Sequence, residues 1–136
     1  MDADAMRHRL ESARVGHLGT TGGDGRPHVV PVCFALTGEV VYNAVDHKPK
    51  RSTRLRRIVN VEQTGRACLL VDEYHDDWTQ LWWVRVDGPA RVVDDPGEAQ
   101  RAVDALTAKY PQYEQRPPSG PVLAVDAERW SAWTAT

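Results

Sequence analysis

Residues 78 to 93 hold the feature that most constrains how this chain folds. Their large apolar residues recur at strand spacing and predict a long strand pair or one bent strand, with Gly88-Pro89 as its break. Alternation places large apolar side chains on both faces of a strand here, with Trp82, Val84 and Val86 on one face and Leu81, Trp83, Arg85 and Asp87 on the other. Such a strand needs cover on both sides. The Gly-Pro pair predicts a bulge or a corner in it, and a long bent strand favours a barrel.

The rest of the chain alternates between short strands and helices. We predict helices over 4–14 (capped by Asp4), 52–63 and from Asp95-Pro96 to Pro111, and strands over 15–20, 28–36, 40–45, 66–72, 78–93 and 122–133. Glycine turns separate the first three strands, which predicts an antiparallel meander. The expected fold is therefore mainly β, a split β-barrel of six or seven antiparallel strands with peripheral helices, in a single domain over residues 1–136.

Composition excludes several classes of function. The 136 residues carry a formal net charge of -2, so bulk attraction to nucleic acid or to a membrane surface is not expected. No apolar run reaches membrane-spanning length and no signal-peptide pattern opens the chain, which predicts a cytoplasmic protein. Cys33 and Cys68 lack metal-ligand spacing, so no metal site is predicted.

One segment departs from this near-neutral balance. Residues 47 to 57 contain six lysines and arginines and no acid, between an alternating strand and a helical pattern. A helix start already carries a partial positive charge, so the cations there indicate an anionic ligand such as a phosphate or a carboxylate. The candidates are Lys48, Lys50, Arg51 and Arg54. The alternative is a solvated helix face whose positive charges are balanced by the acidic loop at 72–77.

Two further features point to a ligand or a partner. Pro31 interrupts a strong strand, and since proline cannot donate to the ladder, it indicates an edge or an opening. Trp82 and Trp83 suggest a subunit contact or a wall for a flat ligand, and the alternative is a tryptophan-rich core. Motifs for covalent hydrolysis, for nucleotide hydrolysis and for a Rossmann site are not found in the sequence, and no catalytic side chain is predicted.

Four segments taken in order resemble the pyridoxamine 5'-phosphate oxidase-like split β-barrel family, and more narrowly its actinobacterial branch that uses the deazaflavin coenzyme F420. They are residues 24–32, 48–51, 66–71 and 82–88. The resemblance implies a homodimer with two cofactor sites at the subunit interface, and a flavin or deazaflavin as the cofactor. The chain ends without the arginine-rich motif that binds substrate phosphate in the phosphate oxidases proper, so pyridoxamine phosphate oxidation is not expected.

Carried over by position, the resemblance assigns three groups of cofactor-binding residues. The phosphate group is Lys48, Lys50, Arg51 and Arg54, the ring group is Val30, Pro31, Val32, Asn43, Ala44 and Val45, and the interface wall is Trp82, Trp83 and Arg85. The implied activity is hydride transfer between F420 and a small unsaturated or quinone-like substrate. The alternatives are an FMN-dependent oxidoreductase and a non-catalytic flavin or tetrapyrrole carrier, because a basic turn suits any anionic cofactor.

Overall fold

The computed structural model describes residues 1–46 and 55–136. Its helices are α1 (Ala3–Ser12), α2 (Arg56–Thr64) and α3 (Pro96–Lys109), with 3-10 turns at Trp78–Gln80 and Pro111–Tyr113. Its strands are β1 (Gly16–Thr21), β2 (Pro27–Val32), β3 (Ala35–Thr37), β4 (Val40–Ala44), β5 (Arg66–Glu73), β6 (Trp82–Val92), β7 (Val122–Asp126) and β8 (Arg129–Thr134). No helix within these ranges is long and apolar enough to cross a bilayer.

The strands form one antiparallel sheet in the order β2-β1-β5-β6-β7-β4-β3, with β8 paired to β6. The two ends of this path, β2 and β3, are consecutive in the chain, so the sheet curls back toward its own start. The prediction of a mainly β split barrel with peripheral helices is confirmed.

Two predicted strands are each divided, which gives eight strands in the described part of the chain where six or seven were expected. The predicted strand 28–36 becomes β2, which pairs with β1, and β3, which pairs with β4. Cys33 and Phe34 make the break between them. The predicted meander therefore has a middle strand that passes from one part of the sheet to the other.

Strand β6 shows the predicted corner at Gly88-Pro89. Up to Pro89 it pairs with β5, and from Ala90 to Val92 it pairs with β7. A Cβ at position 88 would lie 2.0 Å from the Asp126 carbonyl oxygen. Only glycine allows this close approach between two backbones, so Gly88 permits β6 to join both parts of the sheet.

The helices cover the open parts of the sheet and complete two cores. Leu10 of α1 and Ile58 of α2 are buried with Leu69, Val84 and other strand residues in the larger core. Leu106 of α3 belongs to the smaller one, together with Ala35, Tyr42, Ala44, Ala102, Tyr110, Val122 and Ala124. Burial of these side chains supplies the main driving force for the fold.

Two helices begin at other residues than the sequence predicted. Asp2, not Asp4, caps α1, with its Oδ1 accepting from the Ala5 N–H at 2.8 Å. Leu55 has an extended backbone (φ -63°, ψ 147°), so α2 begins at Arg56 rather than at Ser52; residues 52–54 lie outside the described residues.

Helix α3 begins where it was predicted. The Asp95 carboxylate accepts from the Glu98 N–H at 2.9 Å. The Glu98 side chain does not close a capping box. Instead it accepts two bonds from Arg91, at 2.8 and 2.7 Å, and one from the Tyr42 hydroxyl at 2.7 Å. The Arg91 guanidinium, helped by Tyr42, lowers the pKa of Glu98 to about 2.

Candidate functional site

A cavity of about 240 Å³ opens where β2 and β4 end. Four residues from these strand ends form part of its wall: Pro31, Val32, Asn43 and Ala44. The remaining wall comes from residues that are far apart in sequence: Val15, Cys33, Asp46, Arg57 and Tyr113. The strand pairing explains the meeting. Strand β3 follows β2 almost directly in the chain and pairs antiparallel with β4, so the end of β4 lies beside the junction between β2 and β3.

Asn43 is the most constrained polar group of this cavity. It is only 5% exposed, and its Nδ2 donates to the Cys33 carbonyl at 3.0 Å. Its Oδ1 is buried and accepts no hydrogen bond from the described residues. A buried acceptor without a partner costs free energy, which a ligand that carries a donor can recover.

Arg57, in the first turn of α2, presents a second incomplete group. Its Nε is buried and has no acceptor within the described part of the chain. Burial lowers the pKa of the Arg57 guanidinium, and the Asp46 carboxylate opposes this effect. The side chain nevertheless stays charged, because a free arginine titrates far above neutral pH.

Asp46 and Tyr113 add a hydrogen-bonded polar pair to the cavity wall. The Tyr113 hydroxyl donates to Asp46 Oδ1 at 2.6 Å. Burial raises the pKa of the Tyr113 phenol, and the hydrogen bond to Asp46 raises it further. Tyr113 is therefore protonated at neutral pH and holds the carboxylate in place.

The cavity accounts for part of the predicted ring group. Pro31, Val32, Asn43 and Ala44 line it, as expected for residues that contact one ligand. Val30 and Val45 pack against the larger core instead. Val32 shares this core and still lines the cavity, because it is the last residue of β2, whereas Val30 lies two residues before the strand ends.

The predicted phosphate group lies outside the described residues. Lys48, Lys50, Arg51 and Arg54 all belong to the segment 47–54, and their assignment stays a prediction. The residues that bracket this segment are described, however. Asp46 precedes it and Arg57 follows it closely, and both line the cavity.

Sequence reasoning missed several residues of this wall. Arg57 is one of the six cations in residues 47–57, and that cluster was the available signal. No sequence pattern marked Cys33, Asp46 or Val15 as site residues, apart from their positions next to strand ends. Tyr113 comes from residues 111–121, which contain four prolines. Local sequence patterns do not determine the path of such a connection.

The three residues of the predicted interface wall lie on two different faces of the sheet. Trp82 packs against the larger core, donates from Nε1 to Glu73 Oε2 at 2.7 Å, and lies under the Arg9 guanidinium at 4.8 Å. Trp83 and Arg85 lie on the outer face, where the Arg85 guanidinium is 5.3 Å from the centre of the Trp83 ring. Trp133 stands opposite Trp83 in register and is 46% exposed.

The outer face forms a shallow apolar depression of about 570 Å³ beside these tryptophans. Its wall includes Leu70, Tyr74, Leu81, Trp82, Trp83, Arg85 and Trp133. The register of the strands connects this face with the cavity. A row of paired residues crosses five strands, in the order Pro31, His17, Leu70, Arg85 and Ser131. Anything that covers the tryptophans therefore comes close to Pro31 as well.

Comparison with solved structures gives the same fold. A conserved hypothetical protein from Mycobacterium tuberculosis superimposes with a TM-score of 0.80 at 22% identity, over 99% of this chain and 86% of that one. An FAD-binding protein from Mesorhizobium loti gives 0.75 at 21% identity, over 97% and 92%. The heme storage protein HutZ from Vibrio cholerae gives 0.72 at 14% identity, over 97% and 93%.

Sequence comparison gives the family. No curated protein matches the chain at a significant level. The model of the family described as pyridoxamine 5'-phosphate oxidase matches residues 3–134, which is almost the whole chain. The chain therefore belongs to the pyridoxamine 5'-phosphate oxidase family.

Proposed function

We propose that this protein is an F420-dependent oxidoreductase that transfers hydride between the deazaflavin and a small unsaturated or quinone-like substrate. FMN is the alternative cofactor, because both cofactors combine a flat tricyclic ring with an anionic tail. The observation that carries the proposal is the cavity at the ends of β2 and β4, whose lining residues Asn43 and Arg57 each have an unpaired polar atom. In sequence, a segment rich in cations follows its lining residue Asp46.

The cavity suits a ring better than a phosphate. Asn43 and Asp46 line it with an unpaired amide oxygen and a carboxylate, and acceptor oxygens of this kind would repel a phosphate oxygen. Pro31, Val32 and Ala44 provide apolar contacts for a flat ligand. We therefore assign the ring to the cavity, and the tail to Lys48, Lys50, Arg51 and Arg54, which supply the charge that anionic groups need.

The protein itself has modest chemical work to do. The bound deazaflavin or flavin supplies the hydride chemistry. Asn43 and Arg57 orient the ring, Val32 and Ala44 exclude water from one side, and Tyr113 keeps Asp46 in position. Correct positioning of two reactants contributes a large part of the rate in such reactions.

We further propose that the protein is a homodimer and that the outer face of β5, β6 and β8 is its interface. Trp83, Trp133, Leu70 and Leu81 give this face an apolar centre, and Arg85 adds a stacked cation. Aromatic and arginine side chains are the usual anchors of such contacts. Because Pro31 lies on the same face, a partner seated there would help to enclose the cavity.

A carrier without turnover is the second candidate. It is favoured by the state of the acidic groups at the cavity, since Asp46 accepts from Tyr113 and the phenol has a raised pKa. The Tyr113 phenol is therefore not an effective proton donor at neutral pH. A tetrapyrrole or a flavin could be held in this way for storage or transfer.

Turnover separates the two candidates. Reduced F420 is mixed anaerobically with the protein and a small quinone, and F420 oxidation is followed by absorbance. The proposal predicts many turnovers per chain, and a substantial loss of rate in the Lys50→Ala/Arg51→Ala variant at limiting cofactor. If reduced F420 and reduced FMN both bind but neither is oxidised with a panel of quinones and enones, the carrier is the correct assignment.

A further inference from the structure

We propose that Asn43 and Arg57 together recognise the imide edge of the cofactor ring, with Asn43 Oδ1 accepting from the ring N–H and Arg57 Nε–H donating to an adjacent ring carbonyl. This inference rests on the proposed function and adds the orientation of the ring in the cavity. It also names the two side chains that select for a ring with this edge.

The orientation of the Asn43 amide follows from its neighbour. The Cys33 carbonyl, 3.0 Å away, can only accept a hydrogen bond, so the amide nitrogen must face it. The Oδ1 atom is thereby committed as an acceptor in the opposite direction. With the residue 5% exposed, bulk water offers it little compensation.

Arg57 supplies the complementary group. Its Nε carries a single N–H, which is buried and finds no acceptor among the residues that the structure describes. Asp46, the acidic residue on the same cavity, has one oxygen bonded to Tyr113. Two residues that line the cavity thus hold one unpaired acceptor and one unpaired donor, both desolvated.

Few ligand groups satisfy both at once. An ionised phosphate or carboxylate offers only acceptors, so it would leave Asn43 Oδ1 unpaired and facing negative charge. A quinone offers acceptors alone, and so do the propionates of a haem. An imide, in which an N–H lies between two carbonyls, provides a donor and an acceptor side by side, and the pyrimidinedione ring of flavins and deazaflavins ends in this group.

Methylation of the imide nitrogen tests the inference directly. We would titrate the protein with FMN and with 3-methyl-FMN, following fluorescence quenching; if only F420 binds, F420 and its 3-methyl derivative replace them. Removal of one buried hydrogen bond and insertion of a methyl group against Oδ1 are expected to weaken binding to the wild-type protein at least tenfold.

Two variants then assign the effect to the two side chains. Asn43→Leu should bind the unmethylated cofactor about tenfold more weakly and should no longer distinguish it from the methylated one. Arg57→Met is the matched control within the site: it should weaken both forms about equally, so that their ratio stays as in the wild type. Circular dichroism and thermal unfolding of each variant verify that it is folded.

The outcomes are distinct. Equal affinity of the wild type for the methylated and unmethylated cofactor overturns this inference and leaves the proposed function standing. Discrimination that survives in a folded Asn43→Leu variant overturns the role of Asn43. Failure of both FMN and F420 to bind overturns the proposed function, and this inference with it. Should Asn43→Leu not fold, the wild-type comparison and Arg57→Met still decide the matter.

Discussion

The burial of a single charged side chain can lower the stability of the folded protein, and Lys109 at the end of α3 is an example. Its Nζ lies 3.7 Å from the centre of the Phe34 ring and has no hydrogen-bond partner among the described residues. Burial, followed by the nearby Arg14, lowers the pKa of Lys109 to about 8, while Cys33 and Glu11 oppose the shift. The contact with the ring offsets only part of the desolvation of the charge.

Replacing Lys109 by methionine should therefore stabilise the protein at pH 7, by about 1 kcal/mol. The folded-state pKa is lowered, so between about pH 8 and pH 10.5 the unfolded wild type binds more protons than the folded one. Its free energy of unfolding should rise through that window. Lys109→Met should lack this rise, and urea unfolding at a series of pH values measures both.

Arg116→Met provides the control, since Arg116 is exposed and belongs to no packed contact of this kind. It should change the free energy of unfolding by less than about 0.5 kcal/mol at any of these pH values. An identical pH dependence in Lys109→Met and the wild type would show that the amine is solvated in the folded protein.

At the scale of elements, the sequence predicts what depends on local spacing. The alternation of Trp82 to Val86, the corner at Gly88 and the cap at Asp95 are all confirmed, because each rests on residues within a few positions of one another. These signals gave the fold class and the bent central strand. They did not give the number of strands or the start of α2.

The remaining features depend on contacts that local patterns do not record. The division of the predicted strand 28–36 follows from the different partners of its two halves, β1 and β4. The cavity joins Asn43 and Arg57 with Tyr113, which is far along the chain. The resemblance to a family did supply four of the cavity residues, while Val30 and Val45 pack in the larger core and do not line the cavity.

Strand β6 also offers the sharpest test at this scale. Gly88→Ala would place a Cβ 2.0 Å from the Asp126 carbonyl oxygen, which is backbone and cannot move independently of β7. We expect a loss of roughly 3 kcal/mol or more in the free energy of unfolding, or failure to fold. Thermal and urea unfolding measure the change.

Gly97→Ala is the matched control. A Cβ there lies 3.3 Å from the ends of the Arg101 and Asp95 side chains, which can move aside, and position 97 is helical. Its effect should stay within about 1 kcal/mol of the wild type. A Gly88→Ala variant as stable as Gly97→Ala would mean that β6 and β7 do not approach as closely as described.

At the scale of the whole molecule, the proposed homodimer uses the outer face of the sheet. Trp83 and Trp133 form its exposed aromatic centre, and the row from Pro31 to Ser131 leads from the cavity across the same face. An exposed apolar patch of this kind marks an interaction site. A dimer formed there would link assembly to cofactor binding.

The variant Trp83→Glu should raise the dimer dissociation constant at least tenfold and weaken cofactor binding in parallel, because it puts a charge at the centre of the interface. Sedimentation velocity over a range of concentrations measures the first effect. Trp78→Glu serves as the control, since Trp78 is 69% exposed in a 3-10 turn and does not line the depression. A Trp83→Glu variant that dimerises as the wild type does would place the interface elsewhere.

The central claim is that the cavity and the cationic segment 47–57 bind one flavin-like cofactor. A titration of the wild type and of Lys50→Ala/Arg51→Ala with F420 and with FMN tests it most directly. We predict micromolar or tighter quenching by at least one of them in the wild type, and a loss of about 1.5 to 3 kcal/mol for each charge-assisted contact removed, with an unchanged melting temperature. Equal affinity in the two proteins, or no binding of either cofactor to the wild type, would contradict the account.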